Sequence, residues 1–281
     1  MTPTLQPGAK NFPVKSIILA AISAGLAFIF GYVLNINLTV GGSGLTFIVV
    51  IAAILYLAAV ALRVILVGNR WLLLAAAGTE TIFLLAALYR HFSLALIVAI
   101  LAVLAFLAAA SSYGKTSLEN VFKIRFWRLA LPVISRAATG LAVLVAVLYV
   151  GTLNFQDPVS AKKFIAGIVQ PVVPLAQELA NSLIPAPVQS ITGVNKLISA
   201  AALTDLIYQS TFRQFINLPP LYQNLGLAGI GLLAFLTLKG FLFIINYAAA
   251  FLGQLIFKIL KTAGFFVIET ENMPKETIVL K

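Results

Sequence analysis

Cysteine is missing from all 281 residues, and histidine occurs once, as His91. The first absence excludes disulfide frameworks, thiolate metal sites, iron–sulfur clusters, thiol nucleophiles and lipid-modified cysteine. The second leaves no histidine cluster to hold zinc or haem. Acids are scarce too: 8 Asp plus Glu stand against 19 Lys plus Arg, and charged residues make up 10% of the chain. A soluble domain carries about 25%. No phosphate-cradling glycine loop, paired-carboxylate site or histidine–carboxylate cluster is present, so no cofactor, no metal and no enzymatic activity are expected.

What is there is hydrocarbon. Hydrophobic residues make up 61% of the chain and mean hydropathy is +1.05. A bilayer core about 30 Å thick needs roughly 20 apolar residues at 1.5 Å each, and such stretches recur along the chain. The pattern predicts an all-α polytopic helix bundle with about six spans: Ser16 to Leu34, Leu45 to Val67, Trp71 to Tyr89, Ser93 to Ala110, Pro132 to Val150, and Gly226 to between Ala250 and Phe257. Turns of three residues join the second span to the third and the third to the fourth, making each pair antiparallel neighbours. The first run is longer than a signal-peptide core and has no small-residue cleavage site, so it reads as an uncleaved span. The organisation is then a five-span region over 1–151, an extracytoplasmic loop over 152–225, the sixth span over 226–257 and a tail over 258–281.

With the N-terminus inside, thirteen basic residues fall on the cytoplasmic side. Five lie outside, namely Arg90, Lys162, Lys163, Lys196 and Arg213. The positive-inside rule then places both termini in the cytoplasm of a cytoplasmic-membrane protein. The net charge of +11 reads as attraction to anionic lipid rather than to nucleic acid. Thr116 with Glu119 has the capping-box spacing, predicting a basic interfacial helix over 116–131. Its Lys123, Arg125, Trp127 and Arg128 are candidates for lipid headgroups or a partner at that face. Asp157-Pro158 starts a helix in the outer loop, where Thr204 is expected to cap another. Leu175, Leu179 and Leu183 repeat every four residues in the same loop. Short runs around Asn272-Met273-Pro274 suit a small hairpin, an extended tail that docks on a partner, or equally a frayed end.

Two ionisable residues sit in the middle of apolar runs, Glu80 and Lys239. At membrane depth such groups mark a site or a structural lock. Counted from opposite faces, Glu80 lies about 14 Å deep and Lys239 about 20 Å, which brings them to one level and makes them a candidate ion pair. Gly41-Gly42-Ser43-Gly44 resembles the glycine-x-serine-glycine motif of rhomboid intramembrane proteases, with His91 as the base that chemistry requires. The glycine-rich continuation after the histidine is missing, and a turn explains the four residues. The leading functional expectation is a non-enzymatic scaffold or assembly component, with membrane-protein partners or copies of itself. A small transporter or channel using Glu80 and Lys239 is the alternative.

Overall fold

The computed structural model describes residues 12–40, 43–119, 125–153, 157–170, 173–174, 178, 199–270 and 276–280. Apart from one two-stranded hairpin, the described elements are helical. Six helices are long and apolar enough to cross a membrane: α1 (Phe12–Val40), α2 (Ser43–Leu66), α3 (Arg70–Ala87), α4 (Leu94–Glu119), α5 (Phe126–Thr152) and α9 (Pro220–Thr262). Between the last two stand α6 (Pro158–Val169), α7 (Ala200–Ile207), a π turn (Tyr208–Phe212) and α8 (Arg213–Ile216). Strands β1 (Phe266–Thr270) and β2 (Glu276–Leu280) pair antiparallel, Phe266 opposite Leu280.

The chain divides into two compact units, residues 1–148 with 233–281, and residues 149–232. In the first, α1 packs along α2 and α3, and α4 packs along α3 and α2. The turns are as tight as their lengths require. Asn69 sits in extended backbone and its Oδ1 accepts from the amides of Trp71 at 2.9 Å and Leu72 at 3.4 Å, starting α3 at once. Ser93 accepts from Leu96 N at 3.2 Å and starts α4. Small residues bring the helices close, as membrane packing demands. A Cβ on Gly114 would stand 2.3 Å from Val64 Cγ1, and one on Gly31 would stand 2.8 Å from Ala87 Cβ.

One end of this unit is built by charge and aromatic rings. Arg70 and Glu119 pair there at 2.9 Å, joining the start of α3 to the end of α4. Phe126, Phe257 and Phe266 stack in a ladder with ring centroids 5.0 and 4.7 Å apart. Lys15 donates to the Phe265 carbonyl at 3.1 Å and lies over the Phe265 ring. The hairpin is therefore seated on its own bundle through a fully buried Phe266; its turn, 271–275, lies outside the described residues.

Several expected boundaries move. The expected interfacial helix over 116–131 is divided: Thr116 to Glu119 close α4, Phe126 to Leu131 open α5, and 120–124 lie outside the described residues. The Thr116 hydroxyl bonds back to the Ser112 carbonyl at 3.1 Å instead of capping a new helix. Pro132 lies inside α5 rather than at its start. The sixth span is more than twice the length of a bilayer crossing, 43 residues or about 64 Å.

In the second unit Asp157 Oδ1 accepts from Val159 N at 3.2 Å and begins α6 as its sequence requires. The cap of α7 is Ser199, which accepts from Ala202 N at 3.2 Å. Thr204 lies within the helix, bonded to the Ala200 carbonyl. Ile165, Val169 and Val173 form the small core of this unit, with Leu203 and Phe212 against it. Leu175, Leu179 and Leu183 lie outside the described residues.

Candidate functional site

The buried face of α3 runs Leu73, Ala76, Ala77, Glu80, Thr81, Leu84 and Ala87, a helical stripe with one carboxylate at its centre. Glu80 is fully buried. Three side chains converge on it. The Ser23 hydroxyl of α1 donates to Oε1, and the Tyr56 hydroxyl of α2 donates to Oε2 at 3.0 Å. Arg63, also of α2, brings Nη1 to 3.1 Å from Oε1. Ser23 has a single proton, and its oxygen also lies 3.0 Å from the Ala20 carbonyl; the charged acceptor is the stronger of the two.

The geometry follows from helix periodicity. Tyr56 and Arg63 are seven residues apart, two turns, and so share a face of α2. Ser23, Tyr56 and Glu80 each lie about 15 Å along their helices from the same end of the bundle, counting 1.5 Å per residue. Arg63 starts only three residues above the end of α2 and reaches up to meet them. It does not snorkel outward: its side chain is 1% exposed. A buried ion pair repays its desolvation only when the remaining donors and acceptors are satisfied. Here the carboxylate is well served, whereas Arg63 Nε and Nη2 have no hydrogen-bond partner and Nη1 is off the hydrogen-bonding direction. The cluster joins three helices across the unit, and Tyr56 carries it further by stacking on Phe30 at 6.3 Å.

The ion partner of Glu80 is thus Arg63, not Lys239. Lys239 is exposed on α9, and its Nζ lies 5.5 Å over the ring of Phe235, one turn back on the same helix. Arg125 and Arg128 are exposed at the start of α5. Trp127 is half-buried against Tyr247, ring centroids 5.8 Å apart. Lys123 lies outside the described residues. His91 belongs to a short 3-10 turn between α3 and α4 with its Nε2 buried and without a hydrogen-bond partner. Ser43 opens α2, so the serine–glycine pair begins a helix.

Among the described residues, cavities lie elsewhere. One of about 110 Å³ opens between α3 and α4, lined by Arg70, Leu73, Leu74, Ser111, Ser112 and Thr116. Another, about 350 Å³ and shallow, lies beside the Lys162–Asp205 pair of α6 and α7. Among the described residues no group of three acids and histidines gathers as a metal site would require.

Compared with protein families, characterised proteins and solved structures, the chain matches none.

Proposed function

We propose that this protein is a non-enzymatic, multi-pass component of the cytoplasmic membrane that assembles with other membrane proteins, both termini facing the cytoplasm. The observation behind this reading is α9. Its apolar run from Gly226 to Phe257 is about 48 Å long by helical rise, against a hydrocarbon core of about 30 Å. Closing that gap by tilt alone needs an angle above the usual range of 0–40°. The run is also bare: Leu232, Leu233, Leu236, Phe241 and Phe243 are each more than half exposed. Lipid covers one bilayer thickness of such a helix, and the remainder calls for protein. The burial of Glu80 against Arg63, Tyr56 and Ser23 favours a lock between helices over a transport carboxylate, which has to meet water or substrate.

The test is composition in a mild detergent. Native mass measurement is expected to find the chain in a stoichiometric complex with other membrane proteins. A monodisperse monomer carrying only lipid refutes the reading. Orientation is tested separately in this cysteine-free chain: an impermeant thiol reagent applied to sealed cells is expected to label Ser190→Cys and spare Thr277→Cys. Labelling of the latter refutes both termini inside.

A further inference from the structure

The inner third of α9 is packed and its middle is bare, on one and the same face. Asn246, Ala250, Gly253 and Phe257 follow the alternating four- and three-residue spacing of a heptad seam. Ala250, Gly253 and Phe257 are buried, and so is Asn246 Oδ1. Gly253 admits the Phe126 ring, whose edge would lie 3.0 Å from an added Cβ, and faces the Ala58 carbonyl. Continued toward the start of the helix, the same seam passes through Phe243, Lys239 and Leu236. Phe243 is 59% exposed, Leu236 is 53% exposed, and Lys239 is exposed between them. In sequence the spacing runs on through Leu232 and Gly229 to Leu225. A heptad seam exists to receive a second helix, and α9 receives its own bundle over only part of that length.

Lys239 states what the occupant carries. A cation on a seam position costs stability unless the facing helix answers it, which is how such positions specify a partner. The six candidate spans contain two acids, Glu80 and Glu119, and these are held by Arg63 and Arg70. A second copy is a poor occupant for the same reason. Copies in one membrane share an orientation, so paired α9 seams set Lys239 against Lys239.

We infer that the seam around Leu236, Lys239 and Phe243 receives a single transmembrane helix of a different protein, bearing a carboxylate opposite Lys239. Its depth is set by the basic residues of α9. Lys239 stands nineteen residues before Lys258, about 28 Å by helical rise, so the two lysines bracket one hydrocarbon core. The partner's carboxylate therefore sits at the level of Lys239, at the rim of the core farther from Lys258, where the covering helix takes the ammonium out of water. This inference deepens the assembly reading and rests on it.

The probe is a synthetic transmembrane peptide with a leucine heptad seam and one Glu at that rim. Its twin carries Gln, and both are placed in phosphatidylcholine vesicles with the full chain. Energy transfer from the peptide to a dye on Leu218→Cys reads association. The Glu peptide is expected to associate about tenfold more tightly than the Gln peptide. The preference is expected to vanish in Lys239→Met and to pass to a Lys peptide in Lys239→Glu. Thermal unfolding unchanged in both variants shows that the fold is intact. Equal association of the Glu and Gln peptides overturns the inference, as does a preference that survives Lys239→Met. So does a disulfide dimer through Leu236→Cys in vesicles holding this chain alone. If a stoichiometric native complex persists while the charge preference is absent, only the inference falls; if no complex exists, the assembly reading falls with it.

Discussion

Removing the two ends of the Arg63–Glu80 pair one at a time is expected to give unequal losses. At 3.1 Å and an effective dielectric of about 20, the attraction between the charges is about 5 kcal/mol. Most of it offsets the cost of taking both ions out of water. In Arg63→Met the carboxylate keeps the Ser23 and Tyr56 hydroxyls and has an escape, because it takes up a proton. From an unperturbed glutamate, which protonates near pH 4.3, that uptake costs about 3.7 kcal/mol at pH 7, and this caps the loss. In Glu80→Gln the stranded guanidinium has no such escape, since arginine stays protonated at every working pH. A loss of about 3–5 kcal/mol follows.

The double variant replaces the pair with neutral groups and is expected to regain all but about 1–2 kcal/mol. Unfolding in mixed micelles at pH 7, followed by the fluorescence of Trp71 and Trp127, measures all four proteins. Additive single losses refute the lock.

The partner of Glu80 was half legible. Tyr56 and Glu80 lie twelve residues either side of Gly68, and a hairpin with a three-residue turn sets equidistant residues at one level. Arg63 was hidden by an ordinary habit of arginine. Near a helix end it is expected to extend outward to the headgroups, and nothing local says that it turns inward. What turns it is the carboxylate two turns above, a tertiary fact. Glu80 itself was visible as an acid in an apolar run, and its burial follows from the small residues around it, Ala76 and Ala77.

Lys239 stands apart from Glu80 for a different reason. The ends of the apolar run are not the ends of the helix: α9 continues for five residues past Phe257 and begins before Gly226. Apolar length fixes neither the ends of a helix nor the bilayer's position along it. The capping box at Thr116 is not used because Ser111, Ser112 and Thr116 look like a loop by polarity, yet the Thr116 hydroxyl bonds back to its own helix at the Ser112 carbonyl. The helix therefore runs through them to Glu119. Six spans and the tight turns survived because length and apolarity decide them.

Gly114→Ala is expected to cost about 1–3 kcal/mol, because its Cβ meets Val64 at 2.3 Å in a packed helix contact. Gly229→Ala, with nothing within 4 Å of the new Cβ, is expected to leave the monomer's unfolding unchanged or slightly improved; equal losses at the two positions refute the packing argument. Phe266→Ala removes the last ring of the Phe126–Phe257–Phe266 ladder, a change that costs about 3–5 kcal/mol in a closed core. The ring belongs to a two-stranded hairpin, which is marginal unless packed against something larger. The loss is therefore expected to appear as release of the hairpin, measured as faster proteolysis after Thr262, with the unfolding of α1–α4 unaltered. A drop in the stability of the whole bundle without faster cleavage there shows instead that the ring holds α5 and α9 together, because Phe257 then depends on it from one side and Phe126 from the other.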